Sequence, residues 1–293
     1  MNITFRQLRL FLALAETGSV SAAARALHVT QPTASMQLKD MSESVGLPLY
    51  EVVAKKVYLT DIGQELAKTA RAIAQSWDAF EQEADGARGL TRGKLRVAVV
   101  STAQYFMPRL LGSFCARHPA IDVSLEVLNR DGVVQRLREN MDDLYIMSMP
   151  PADMDLSDDI FMTNPIVVVA PADDALASSS SVPLDALRSR RFILRERGSG
   201  TRMAADQHFR SHRFRPDIRL ELGSNEAIKE AVAGGLGIAV LSRHALHGLD
   251  GEHGVSVIDV DGFPVLSNWH IVHPGGKKLS PLARAFKAHL LAT

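Results

Sequence analysis

The chain has one cysteine, two tryptophans and no net charge among its 293 residues, with Lys+Arg and Asp+Glu at 33 each. Each shortage excludes something. A single cysteine, Cys115, rules out an intramolecular disulfide and suits a reducing compartment. Its neighbours Leu110, Leu111 and Phe114 place it on a helix face, as a core thiol ahead of a reactive one. No apolar run approaches the ~18–20 residues needed to cross a bilayer. The first residues, MNITFRQLRL, lack the apolar stretch and cleavage site of a signal peptide, so a cytoplasmic chain without a membrane partner is expected. No CxxC, HExxH, phosphate-binding glycine loop or Ser/His/Asp set at recognisable spacing occurs, so neither an enzyme nor a cofactor is expected. His244, His247 and His253 fall near one loop but show no further ligands, and His270 and His273 flank a strand end. No metal site is expected.

Balanced charge leaves nucleic-acid binding to motif geometry. Residues 1–59 carry six cations (Arg6, Arg9, Arg25, Lys39, Lys55, Lys56) against four acids (Glu16, Asp40, Glu43, Glu51), a slight excess. Within that stretch Phe5, Leu8, Phe11, Leu12 and Ala15 recur with helical spacing over residues 4–17, and Gly18 stops the helix. Ser19 caps a second helix with Val20, Ala23, Ala24 and Leu27 on one face. After the turn His28-Val29-Thr30, Thr30 caps a third helix with Pro32 in its first turn, where a missing N–H costs nothing. Ala34, Leu38, Met41 and Val45 form the buried stripe of that helix. Gln31, Pro32, Thr33, Ser35, Met36 and Lys39 lie on the opposite face, and Gly46 ends it. Two short helices, a tight turn and a polar-faced third helix are the pattern of a helix-turn-helix, whose recognition helix reaches base edges in the major groove. Residues 49–59 read as a hairpin wing with Lys55 and Lys56 at its tip, against the DNA backbone. On spacing alone, a three-helix core with solvated polar faces fits the same residues.

The residues FRQLRLFLALAETGSVSAAARALHVTQPTAS and the later LTDIGQ resemble the winged helix-turn-helix of LysR-type transcriptional regulators. The resemblance implies a double-stranded DNA partner. It also shows a departure: many members carry Arg where this chain has Met36, and Met cannot make the bidentate contact to guanine that Arg makes.

Thr60 caps a long helix to about Ala87. Ile62, Leu66, Thr69, Ile73, Trp77, Phe80 and Ala84 repeat at steps of three and four, a heptad-like seam that needs a partner. The seam has two candidate partners, the chain's own effector domain or the same helix of a second chain. The family resemblance implies the second, a homodimer through this helix and a homotetramer of two such dimers. Gly86, Gly89 and Gly93, with Thr91 among them, read as a hinge.

From Lys94 strands and helices alternate. Strands are expected at 95–100, 123–127, 144–147, 166–170, 191–194, 219–221, 238–241, 255–260 and 268–272. Helices are expected from Ser101-Thr102 to Arg117, over 133–139, over 183–190, from about Thr201, from Ser224 or Asn225 to Gly234, and over 281–291. This order implies doubly wound α/β lobes, which bind ligands at the carboxyl ends of their strands. Three turns at strand ends carry groups that attract anions: Ser101-Thr102, Ser199-Gly200-Thr201-Arg202 and Ser224-Asn225. Arg195 lies just past a strand end, and ordinary N-caps with surface arginines are the plainer reading of the same residues.

STAQYF, DDLYIMS, RERGSGTR and LGSNEAIKEAVAGGLGIAVLS resemble the CbbR-like subgroup that regulates carbon-fixation and inorganic-carbon operons. That resemblance covers essentially the whole chain. It implies a winged helix-turn-helix over 1–60, a linker and dimerisation helix over 61–89, and a two-lobed effector-binding domain over 90–293, like type 2 periplasmic binding proteins. Lobe 1 is 90–162 with 266–293, and lobe 2 is 163–265. The implied effector is an anionic metabolite such as 2-oxoglutarate or a phosphorylated sugar or acid. Its expected contacts are Ser101, Thr102, Gln104, Asn129, Met147, Arg195, Ser199, Thr201 and Arg202. Members of the subgroup commonly carry Lys where this chain has Gln104, which removes a cation. A solute-binding or enzymatic α/β protein is the alternative. The former has no use for residues 1–60, and the latter lacks a visible catalytic set.

Overall fold

The computed structural model describes residues 2–54, 56–87, 92–246 and 254–293. Lys55, Gly89, Thr91, His247 and His253 lie outside the described residues. Two compact units make up the chain: residues 1–84 with 139–141, and residues 85–138 with 142–293.

In the first unit, α1 (Phe5–Thr17), α2 (Val20–Ala26) and α3 (Gln31–Val45) begin where the capping residues put them. Thr4 and Gln7 form a reciprocal capping box, satisfying two backbone donors that a helix start leaves open. Ser19 and Thr30 accept from the third residue of their helices. Gly18 and Gly46 end α1 and α3 in the left-handed conformation that suits glycine. Leu10, Phe11, Leu14, Ala23, Ala34, Leu38 and Met41 close into one core, reached also by Leu49. The hairpin β1 (Tyr50–Val53) and β2 (Lys56–Leu59) follows, paired Tyr50 to Leu59 and Val53 to Lys56. Then comes α4 (Asp61–Ala87), whose 27 residues span about 40 Å at ~1.5 Å each. Thr60 accepts from Gly63 N and donates to Pro48 O, tying the helix start to the strand entry. Gly86 falls inside α4 and Gly93 opens the next strand, so these two glycines sit in regular elements.

The second unit is built on a nine-stranded sheet. The strands β3 (Gly93–Val100), β4 (Ile121–Leu128) and β5 (Leu144–Met147) are parallel, with α5 (Met107–Arg117) and α6 (Arg130–Arg138) as crossovers. The strands β7 (Arg191–Arg195), β8 (Asp217–Leu222) and β9 (Ile238–Ser242) repeat the scheme with α7 (Gly200–Ser211) and α8 (Asn225–Ala233). Parallel strands need such crossovers, because a short hairpin cannot return the chain to the same end. Two antiparallel strands join the halves: β6 (Leu156–Pro171) and β11 (Val265–Pro274), paired with each other from Leu156–Pro274 to Ile166–Val265. β10 (Val255–Ile258) pairs with β6, and α9 (Pro281–Leu291) closes the chain. One core gathers β3, β5, β11 and α9 residues such as Val97, Tyr145, Trp269 and Phe286. Two others, around Phe192 and Phe209 and around Ile228 and Leu241, flank the second set of strands.

Three elements differ from the sequence expectation. β6 is 16 residues, not five. Its first half, LSDDIFMTNP, reads as loop because Asp158-Asp159 and Asn164-Pro165 are loop residues by composition. The pairing with β11 overrides that preference. The helix expected from Ser101 is a 3-10 segment, Ser101–Tyr105, and a separate α5. Pro108 explains the break: it suits the first turn of a helix and disfavours helical backbone before it. Residues 184–189 form a 3-10 segment where an α-helix was expected.

Candidate functional site

On α3, Gln31, Pro32, Met36 and Lys39 are exposed and Thr33 and Ser35 half-buried, opposite the buried Ala34, Leu38 and Met41. The Gln31 amide donates to Ser35 Oγ at 3.1 Å, and the Thr33 hydroxyl bonds that of Thr30 at 2.8 Å. Lys39 sits 3.5 Å from Glu43 with both side chains mostly exposed, so the pair constrains Lys39 little. Lys56 is exposed on the wing. The face therefore offers hydrogen-bonding side chains and one loosely held cation, with Met36 58% exposed among them.

On α4 the apolar stripe is covered at Leu66, which packs on the core of the first unit, and uncovered further along the helix. Ile73, Trp77 and Phe80 are exposed, and Trp77 stacks between Phe5 and Phe80 at 5.8 and 5.7 Å. Phe5, Thr69, Ala72, Ile73, Ser76 and Trp77 line an apolar groove.

In the second unit a narrow cleft opens at the carboxyl ends of β3, β5 and β7. It lies between Val100, Ser101, Thr102, Arg130, Ser148, Arg195, Ser199, Gly200, Thr201 and Trp269, whose side chains nearly fill it and leave room for about one water. Five of the expected contacts meet there: Ser101, Thr102, Arg195, Ser199 and Thr201. Arg195 is 1% exposed and each of its three guanidinium nitrogens donates a hydrogen bond. Nε and Nη2 donate to Glu196 at 2.8 and 3.0 Å, Nη1 to Asn225 Oδ1 at 2.7 Å, and Nη2 to Ser101 Oγ at 3.1 Å. Asn225 in turn donates to Thr102 Oγ1 at 3.3 Å, and Tyr105 donates to Glu226 at 2.6 Å. Burial, reinforced by the Glu226 carboxylate, raises the Tyr105 pKa and keeps the phenol a donor. The hydroxyls of Ser101 and Thr102 thus hold Arg195 and Asn225 instead of capping a helix, since the 3-10 segment has no side-chain cap.

The other four expected contacts lie outside the cleft wall. Asn129 accepts from Gly132 N and so serves the start of α6. Met147 is fully buried in the core, and the alternation of a strand turns its successor Ser148 to the cleft. Gln104 is exposed on the 3-10 segment. Arg202 points to Asp206, Glu221 and the Arg195 carbonyl. Sequence reasoning missed Arg130, Ser148 and Trp269. Arg130 and Ser148 each follow an expected contact by one residue, whereas Trp269 lies within β11 with no motif around it.

Gly198 and Gly200 serve close approach, though of protein to protein. A Cβ on Gly200 would lie 2.6 Å from Ser148 Oγ, and one on Gly198 would lie 2.7 Å from Asp131 Oδ2. Among the described residues no cluster of three or more potential metal ligands occurs. His244 instead bonds the Thr163 carbonyl.

Residues 5–64 match the family described as bacterial regulatory helix-turn-helix protein, lysR family, and residues 88–293 match the LysR substrate binding domain. The HTH-type transcriptional activator CmpR of Synechocystis sp. is 41% identical over 293 residues, covering 99% of this chain and 96% of that protein. A RuBisCO operon transcriptional regulator of Acidithiobacillus ferrooxidans is 42% identical over 291 residues, covering 99% and 94%. The regulatory domain of CcmR from Synechocystis PCC6803, solved in complex with 2-PG, is 46% identical. It aligns with a TM-score of 0.66 over 68% of this chain and 96% of its own. The described residues include no helix long and apolar enough to cross a membrane. The chain belongs to the LysR family, as a helix-turn-helix transcription regulator close to the CmpR and CbbR group and not an enzyme.

Proposed function

We propose that this regulator controls carbon-assimilation genes and that a compact anionic metabolite in the cleft switches it. The observation that carries the reading is the cleft itself. Two arginines, Arg130 and Arg195, and the hydroxyls of Ser101, Thr102, Ser148, Ser199 and Thr201 converge at strand ends and the α7 start. Guanidinium forks and helix N-termini both favour carboxylate or phosphate oxygens. The cleft's own side chains nearly fill it, leaving room for about one water, so a ligand has to part the Arg195 network to enter. The ligand of the similar CcmR domain, 2-PG, agrees with that charge preference, and 2-oxoglutarate is the second candidate.

A mechanism follows from the closed network. An anion that engages Arg195 competes with Glu196 and loosens the Arg195–Ser101 and Asn225–Thr102 bonds. Occupancy then favours a different arrangement of the two sets of strands, limited by the ligand's differential affinity for the two states. At the other end, Gln31, Pro32, Thr33, Ser35, Met36 and Lys39 face the major groove and Lys55 and Lys56 contact phosphates. The exposed α4 stripe pairs two chains, and two such dimers form a tetramer. Two-fold symmetry then calls for a pseudo-palindromic site. Calorimetry of the full chain with 2-phosphoglycolate, 2-oxoglutarate, ribulose bisphosphate and a neutral sugar tests the ligand. Binding of the small acids supports it, and binding of the neutral sugar alone rejects it.

A further inference from the structure

One of the residues lining the cleft carries a buried polar atom with no partner among the described residues. Trp269 is 1% exposed and stands on β11 opposite Met162. Its ring is held edge-on by Phe106 at 5.1 Å between centroids, with His244 at 6.1 Å. The indole Nε1 has no hydrogen-bond partner among the described residues, yet the same side chain lines the cleft with Thr102, Ser148 and Thr201. An indole N–H can only donate. Buried, it normally finds an acceptor, because leaving it unpaired forfeits its hydration. Phenylalanine would pack on Phe106 with a smaller ring and without an unpaired donor. The cleft's other neutral polar side chains are hydroxyls, which can donate or accept, and two of them already accept from Arg195 and Asn225.

We infer that Trp269 donates its indole N–H to an oxygen of the bound oxyanion, making it a specificity-determining residue of the cleft. The inference rests on the proposed ligand class. A rigid donor-only group on one wall and a guanidinium on the other fix the ligand by its accepting oxygens. A neutral sugar, whose hydroxyls can be accommodated by water as well, gains less from such a pair than a carboxylate or phosphate does.

The experiment is a comparison of the full chain with Trp269→Phe, using 2-phosphoglycolate and 2-oxoglutarate as probes. Calorimetry should show the variant binding the preferred acid about fivefold to thirtyfold more weakly, the effect of one lost hydrogen bond. The unliganded variant should melt lower by the cost of the smaller ring, offset in part by removal of the unpaired donor, and should still unfold in one cooperative transition. In ¹⁵N-labelled protein, the indole resonance that disappears in Trp269→Phe should move downfield when the acid is added to the parent. If the parent binds and the variant binds equally well, or the resonance stays in place, the inference is overturned and the ligand reading stands. If neither acid binds the parent, the ligand reading itself fails and takes the inference with it.

Discussion

Replacing Arg195 with methionine removes four hydrogen bonds from a side chain that is 1% exposed. Methionine keeps most of the volume, so the loss is mainly electrostatic. What remains is a carboxylate, Glu196, 26% exposed at its side chain and without its fork, and a buried Asn225 carbonyl without its donor. Breaking a buried pair costs about 3–5 kcal/mol. Partial exposure of Glu196 lets water repay some of this, so the low end applies, about 3 kcal/mol. For a unit of this size each kcal/mol shifts the midpoint by roughly 2–4 °C, giving a drop of about 6–12 °C. Glu196→Gln alone should cost less, because Arg195 keeps Asn225 and Ser101. The double variant should recover part of the loss, since no carboxylate is then stranded, and the coupling measured by the cycle should be at least about 0.5 kcal/mol. Differential scanning calorimetry of the four proteins decides it. An Arg195→Met midpoint within 2 °C of the parent, or strictly additive singles, would refute the reasoning.

Trp77→Glu places a charge in the apolar α4 stripe, so sedimentation should show the parent as a dimer or larger and the variant shifted toward monomer. Gln31→Ala and Ser35→Ala should each relax base preference by ~1–3 kcal/mol if the side chain makes a good base contact. Lys56→Ala should weaken all sequences alike and reduce the salt slope by about one, both read by competition binding. Burial lowers the pKa of His208, helped by His212, and that of His273 below the ordinary 6.5. The unfolded chain therefore takes up protons first. The stability contributed by the neutral rings is complete above about pH 6.5 and declines as pH falls below it. Melting at pH 7.5 and 5.5 should show that decline, and a His208→Gln, His273→Gln variant should flatten it.

Local signals carried most of the N-terminal unit. Ser19, Thr30, Pro32, Gly18 and Gly46 each act within one or two turns, so caps and stops could be read from neighbouring residues. The βα order of the second unit was also legible, because parallel strands are short apolar runs between helices. β6 was not, since its first half is held by β11, more than a hundred positions away. In the cleft, the residues after β3 and at the start of α7 were found, Ser148 after β5 was missed by one position, and the pairing of Arg195 was not legible. Glu196 is its neighbour and Asn225 and Ser101 are distant, and nothing local tells an arginine waiting for a ligand from one already paired. Trp269 was invisible for a related reason: a tryptophan in a strand reads as core, and only the fold shows that its N–H faces no acceptor.

The most direct test is a footprint of the full chain on a DNA fragment selected by the protein from a random pool. It would be recorded with and without 2-phosphoglycolate or 2-oxoglutarate, and with a neutral sugar as control. The account predicts a two-fold symmetric protected site in the absence of ligand. It predicts a changed extent or spacing of protection with the acid and none with the sugar, and Arg195→Met should show no change with either. A footprint identical under all conditions, with the acid shown by calorimetry to be bound, would contradict the claim that the cleft controls how the chain sits on DNA.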